Sequence, residues 1–383
     1  MNNKSFSDLI TFTRATTGTW LNPATGLLET AAINVPRLEA KGLLFEQQRT
    51  NLALRSADFG NATWVKSQLT VTTDGTLSPD GVTQASKLVP STVAAGHQIS
   101  QNIASTATAF AASVFAKAGA YNILRVRIAI NGTFSGDTIV NLTTGAIVST
   151  GFPGSYTEQM PNGWWRVVVP FSAVSTTTVS FGFWVYVNGN GTDAGDGTSA
   201  LYTWGAQLEA ADSVSSYIPT VAAQVTRSAD LAYVLAADWL REGEGTLFVE
   251  TQNRSVLSVL SAMLGTSASN PRISLLLSST SLSRAEIVND ANVTQFGLNL
   301  GSVQPQNGIL KQAIGYKADS VAQFSSQGLA TSEVGPVVLP TIDRLTLGTR
   351  AVNIVSSHMT GHIRRIKYFP YRLTAAELQA LTT

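Results

Sequence analysis

Apolar and polar side chains alternate with period two over much of the chain, in short runs broken by Gly, Pro, Asn and Asp. That period marks half-buried β-strands and argues against helices. Between Ser56 and Ser228 the runs predict strands at Leu69–Thr72, Ala85–Val89, Phe110–Lys117, Leu124–Ile130, Asp137–Thr144, Trp164–Phe171, Val179–Val187 and Leu201–Glu209. After Leu231 they continue at Glu244–Thr251, Arg272–Leu277, Gln295–Leu300, Gln312–Lys317 and Arg344–Gly348. Near the start, Thr19-Trp20-Leu21 and Leu27-Leu28-Glu29-Thr30 flank the turn Asn22-Pro23-Ala24-Thr25-Gly26, a hairpin too small to fold alone. One helix is expected at the C-terminus, where Thr374 followed by Glu377 makes a capping box.

A chain of 383 residues exceeds one ordinary core and suits two or three compact units. The expected fold is all-β: two antiparallel, jelly-roll-like β-sandwiches at 56–228 and 229–383, preceded by a small hairpin-containing collar or attachment segment at 1–55. Thr13-Arg14-Ala15-Thr16 is echoed by Thr226-Arg227-Ser228-Ala229-Asp230, which suggests that the two segments lie near each other. Arg49 or Arg227 would then pair with Glu46, Glu209 or Asp230; the alternative is ordinary solvated charge.

Several motifs resemble those of bacteriophage head-spike and tail-fibre proteins. The first is Arg14-Ala15-Thr16, then Asn34-Val35-Pro36-Arg37, then Gly42-Leu43-Leu44 and Arg49-Thr50-Asn51-Leu52. The second series is Ser113-Val114, Ala116-Lys117-Ala118, Thr144-Gly145, Asn162-Gly163-Trp164-Trp165-Arg166 and the segment from Gly195 to Glu209. It is similar to the carbohydrate-binding-like sandwich of those proteins. The ending Arg372-Leu373-Thr374 with Glu377-Leu378 resembles concanavalin A and laminin G-like domains, although Phe324–Gly328 stands where many relatives carry an Asn-Gly turn.

The resemblance implies a virion surface protein of a tailed phage that binds host-cell surface glycans without catalysis. Its partners would be other virion proteins and copies of itself, with a trimer favoured, because clustered copies compensate for weak single contacts. Head and tail locations both fit. A polysaccharide depolymerase on the same scaffold and a purely structural decoration protein are the alternatives.

Composition narrows the partners. Charged residues make up only 13% and the formal net charge is +1, so no excess field exists to hold a nucleic acid. The absence of cysteine removes disulfides and thiolate chemistry. The stretch Met1 to Asp8 lacks the apolar core of a secretory signal, and no segment sustains the roughly 18 apolar residues of a membrane helix. The expectation is a chain made in the host cytoplasm and displayed on the virion, with no membrane insertion.

Glycan binding needs aromatic faces and a few fixed polar groups. Alternation puts Phe181, Phe183, Val185 and Val187 on one face of their strand and Trp184 and Tyr186 on the other, and Tyr202 and Trp204 share a face of theirs. If Val179–Val187 and Leu201–Glu209 form a hairpin, Trp184, Tyr186, Tyr202 and Trp204 become one cross-strand cluster, either a glycan platform or packing. Asp193 and Asp196 between them offer hard oxygen donors that suit a structural calcium, yet Asp-Gly is also common turn chemistry. No other cofactor is indicated. His358 and His362 have zinc-ligand spacing, but Gly361 interrupts and the following residues alternate as a strand. No Ser-His-Asp elbow or glycosidase carboxylate pair stands out, so no catalytic residue is assigned.

Overall fold

The computed structural model describes residues 9–255, 259–268, 270–330, 335–350 and 357–383. Met1 to Asp8, read above for a secretory signal, lie outside them; among the described residues no helix is long and apolar enough to cross a membrane. The protein is all-β, with two compact units: residues 18–30 with 49–227, and residues 1–17 with 31–48 and 228–383. We call them the middle and terminal sandwiches.

The middle sandwich has two six-stranded antiparallel sheets. The first runs Ala146–Thr150, Thr133–Asn141, Ile123–Ile130, Thr178–Tyr186, Gln98–Ala104, Val65–Ser67. The second runs Tyr156–Gln159, Trp164–Ser172, Ala109–Lys117, Leu201–Glu209, Ser86–Pro90, Leu69–Thr72. Period-two alternation gives each strand one apolar face. Phe110, Ala112, Val114 and Ala116 therefore share a core with Leu124, Val126, Ile128, Phe181, Phe183 and Val185. Phe59 and Trp64 plug it, their ring centroids 4.8 Å apart, with the Trp64 indole N–H donating to Arg55 O at 3.1 Å. Each such ring contributes about 1.5–3 kcal/mol by leaving water.

The strand Leu201–Glu209 keeps its core face only by means of a bulge. Leu201 points inward, register shifts opposite Ser113 and Phe115, and Ala206 and Leu208 point inward again. Gly205 makes the shift at φ +64°, where a Cβ would sit 2.8 Å from the Phe115 ring.

The terminal sandwich has two seven-stranded antiparallel sheets, and residues before Gln48 complete both. Thr11–Thr13 lies beside Leu231–Leu235, with Thr13 opposite Leu231. Gly42–Phe45 pairs with Gly361–Phe369 and carries Arg37–Glu39 on its outer edge. The segment 1–55, expected to be a collar, thus divides between the two units. The physical reason is burial: Phe12, Leu43 and Phe45 belong to the terminal core with Leu247, Ile273 and Ile363, and could not bury in a short hairpin.

The expected nearness of the two echoed segments holds in the terminal sandwich. Asp230 binds Arg14 Nη1 at 3.2 Å and Arg37 Nη2 at 2.6 Å, and Arg37 Nη1 lies 2.8 Å from Glu46. All four side chains are fully buried. Burial alone would depress the Arg37 guanidinium, but the charges of Asp230 and Glu46 outweigh it and hold the group above its ordinary value. Of the pairs proposed from sequence, Arg49 with Glu209 forms, at 3.4 Å in the middle sandwich. Asp230 takes both Arg14 and Arg37, and Arg37 also holds Glu46. The terminal helix spans Ala375–Thr382 and carries the expected capping box at Thr374 and Glu377.

Candidate functional site

The four aromatic residues proposed as one cluster occupy different sheets. Thr178–Tyr186 pairs with Gln98–Ala104 and Ile123–Ile130, whereas Leu201–Glu209 pairs with Ala109–Lys117 and Ser86–Pro90. The hairpin expected between them does not form, because the long Gly-rich segment after Tyr186 carries the chain from one sheet to the other. Trp184 and Tyr186 therefore stand on the outer face of the first sheet, and Tyr202 and Trp204 on the outer face of the second.

The second sheet's outer face is covered. Trp204, 5% exposed, packs on Tyr217 at 4.6 Å and Phe115 at 5.5 Å between ring centroids. Trp164, Met160 and, from the N-terminal hairpin, Leu21 and Leu28 complete that layer. Tyr202 lies at its margin and donates its hydroxyl to Asp74 at 2.8 Å. Burial and then this carboxylate raise the phenol above its ordinary value, while the Tyr202 hydroxyl, with Thr76, lowers Asp74. Trp204 is a core residue, and Tyr202 fixes a loop.

The first sheet's outer face carries a different chemistry. In the register, Trp184 lies between Arg125 and Gln98, and Gly182 between Arg127 and Ser100. On the next strand Asp137 stands opposite Arg127. Arg125 donates its Nε to Asp137 Oδ2 at 2.7 Å, and its Nη2 also contacts that oxygen. The Arg127 guanidinium is stacked between two rings, 4.6 Å from the Phe134 centroid and 5.1 Å from that of Trp184. Its Nε is buried and has no hydrogen-bond partner among the described residues. Phe134 is 48% exposed, Trp184 only 8% because the arginines lie over it. Gly182 lacks a side chain where a Cβ would come 2.7 Å from Ile99 O and from Ser100 Cβ, so the strands approach closely there.

This face offers one exposed aromatic ring, two guanidiniums, and the hydroxyls and amides of Ser100, Ser180, Gln98 and Asn102. Tyr186 lies on the same face one row away, opposite Ile123 and against Gly191. Arg125, Arg127, Phe134 and Asp137 were missed from sequence. A signal was present: Leu124-Arg125-Val126-Arg127-Ile128 places both arginines on the outward side of an otherwise apolar strand.

Asp193 and Asp196 form separate turns. Asp196 Oδ1 accepts from the N–H groups of Thr198 at 2.8 Å and Ser199 at 2.6 Å, and the hydroxyl and backbone of Ser199 hold its pKa far below the ordinary carboxylate value. Asp193 Oδ1 accepts from Asn190 Nδ2 at 2.9 Å. Among the described residues no group of three or more His, Asp or Glu is placed to hold a metal. His97 staples this loop: Nδ1 lies 2.6 Å from Gln68 O and Nε2 2.8 Å from Asp193 O. His362 begins a strand, as its context predicted, and contacts Glu39 at 2.8 Å.

No protein-family model matches the chain, and no curated protein does. Among solved structures it is similar to the CBM40 domain of Ruminococcus gnavus IT-sialidase bound to alpha2,3 sialyllactose, at 16% identity over 37% of this chain and 84% of that one, with TM-score 0.33. The SAP-like pentraxin of Limulus polyphemus aligns at 9% identity over 37% of this chain and 70% of that one, TM-score 0.32. Domains LG4-5 of the mouse laminin alpha1 chain align at 10% identity over 85% of this chain and 94% of that one, TM-score 0.26.

Proposed function

We propose that the protein binds glycans without catalysis, through the outer face of the first sheet of the middle sandwich, and that it does so on the surface of a tailed-phage virion. The observation that carries the binding reading is the contrast between the two outer faces. One is closed by the chain's own hairpin and aromatic layer, while the other leaves Phe134, Arg125 and Arg127 in reach of a ligand, with Trp184 beneath the arginines. A pyranose ring would lay its C–H face on Phe134 and direct hydroxyls to the guanidiniums, Ser100 and Asn102. The virion reading rests on the motif resemblance, and weak single sites would gain from oligomeric display.

The test is a glycan array probed with the wild-type chain and with Phe134→Ala and Arg127→Ala. Both substitutions lie on the open face, so retained thermal melting with lost array signal supports the reading. A blank array for wild type, with the protein present on purified particles, would favour a structural decoration role. Release of reducing ends from capsule or lipopolysaccharide would point to a depolymerase.

A further inference from the structure

The sheet that carries the open face is short of acid. Across its six strands, Val65–Ser67, Gln98–Ala104, Ile123–Ile130, Thr133–Asn141, Ala146–Thr150 and Thr178–Tyr186, the basic residues are Lys66, Arg125 and Arg127, and the acidic residue is Asp137 alone. Lys66 stands opposite the inward Ile99 and donates its Nζ to Gly60 O at 2.8 Å and Asn61 O at 2.7 Å, so it serves a loop and not the outer face. Asp137 is engaged by Arg125, through Nε at 2.7 Å and through Nη2. Two guanidiniums against one carboxylate leave one positive charge on the outer side, whichever of the two Asp137 neutralises.

That charge is held at Arg127. Its guanidinium makes no hydrogen bond or ion pair with a described residue; Nε is sealed from water, and the two Nη groups are not. Phe134 and Trp184 flank it, at 4.6 and 5.1 Å from their ring centroids, which fixes the group without using any of its donors. The carboxylates on the loop after Tyr186 are committed to their own turns, Asp193 accepting from Asn190 Nδ2 at 2.9 Å and Asp196 from the Thr198 N–H at 2.8 Å. An arginine ordered by two rings, with its Nη donors open to the face, is preorganised for a ligand that brings the missing charge.

We propose that the open face selects acidic glycans, with Arg127 pairing to the carboxylate of a uronic-acid pyranose that rests on Phe134. The inference rests on the glycan reading above and adds the class of sugar. A carboxylate carries one negative charge, equal to the excess on the face, and its two oxygens accept parallel N–H bonds from a guanidinium fork. A phosphate monoester, at about −1.5 to −2, would exceed that charge. A neutral sugar offers only hydroxyls and leaves the Arg127 charge without a counterpart.

The experiment is an array of galacturonate and glucuronate oligosaccharides, each printed beside its own methyl ester, with neutral malto- and cello-oligosaccharides and a sulfated galactan oligosaccharide, probed with the full chain at low and high salt. The ester keeps the ring and its hydroxyls and removes only the charge. Half-saturation of the acid is expected at a concentration about tenfold lower than that of its ester, the worth of a charged hydrogen bond, with the gap narrowing at high salt. Arg127→Gln should bring the ratio of acid to ester close to one, and Arg127→Lys should keep part of it. Asp137→Asn, which removes the sheet's one carboxylate, should widen it; an arginine that only packed against Trp184 would move neither ratio. Equal binding of acid and ester, or binding of neutral sugars alone, overturns the inference and leaves the glycan reading standing. Preference for the sulfated probe over both uronates overturns the carboxylate assignment, and a blank on every sugar overturns the inference and the glycan reading together.

Discussion

Replacing Asp230 with Ala tests whether the terminal sandwich depends on its buried ion cluster. Asp230 accepts from Arg14 Nη1 at 3.2 Å, from Arg37 Nη2 at 2.6 Å and from the Glu46 N–H at 2.8 Å, all out of contact with water. The substitution leaves both guanidiniums in place and removes the carboxylate they share, with Glu46 remaining to Arg37 and, at 3.7 Å, to Arg254. Breaking a buried pair from one side costs about 3–5 kcal/mol, because the stranded charge cannot regain water. The orphaned Glu46 N–H adds about 1–3 kcal/mol. The expected loss is therefore at least about 3 kcal/mol, enough to remove a large share of a domain's net stability.

Two compact units make a single unfolding free energy ill-defined, so the readout is native-state hydrogen exchange. Amides of Thr11–Thr13 and Leu231–Leu235, the paired strands that hold Arg14 and Asp230 at their ends, should lose at least about a hundredfold in protection. Those of Ile123–Ile130 in the middle sandwich should not change. Asp230→Asn keeps one acceptor oxygen but no charge and should fall between wild type and Ala. A loss below about 1 kcal/mol in Asp230→Ala, or equal loss in both sandwiches, would refute the reasoning.

Trp204→Ala should destabilise the middle sandwich by about 3–5 kcal/mol, the cost of removing a packed aromatic. A thermal melt of the variant checks this, and a loss below about 1 kcal/mol would sink the reading of Trp204 as a core residue. Glu209 gives a pH test. Burial, only partly offset by Arg49, raises its carboxyl above the ordinary value. The protonated form is therefore favoured in the folded state, so its contribution to stability is fully present below about pH 4.5 and is lost as pH rises through the raised value. The difference in melting temperature between wild type and Glu209→Gln should shift in favour of the variant from pH 4 to pH 7, and a difference independent of pH would count against it.

Local pattern made most strands legible. Alternation placed Leu201–Glu209 and Phe181 with Phe183 correctly because one face of each must leave water, and Thr374 with Glu377 fixed the helix start through contacts three residues apart. Pairing between distant strands was not legible. The segment after Tyr186 has the composition of a hairpin loop, yet it is long enough to change sheets, and nothing local says which. The same applies to Arg14 and Asp230, whose contact spans most of the chain.

That change of sheet decides what each aromatic side chain can do. A β-sandwich has two outer faces, and a face studded with bare rings would need a cover to stay in water. On the second sheet the cover is the hairpin 18–30 with Tyr217, so Trp204 becomes interior. On the first sheet the cover is made of side chains: Arg125 and Arg127 lie across Trp184 and keep their charge accessible, so the face can remain open without exposing the indole. A ligand arriving there meets guanidinium and Phe134 before it meets Trp184. Removing Arg127 should then do two things that a merely structural arginine would not combine: lower glycan affinity and raise the exposure of the Trp184 indole, visible as a red shift and faster acrylamide quenching of its fluorescence.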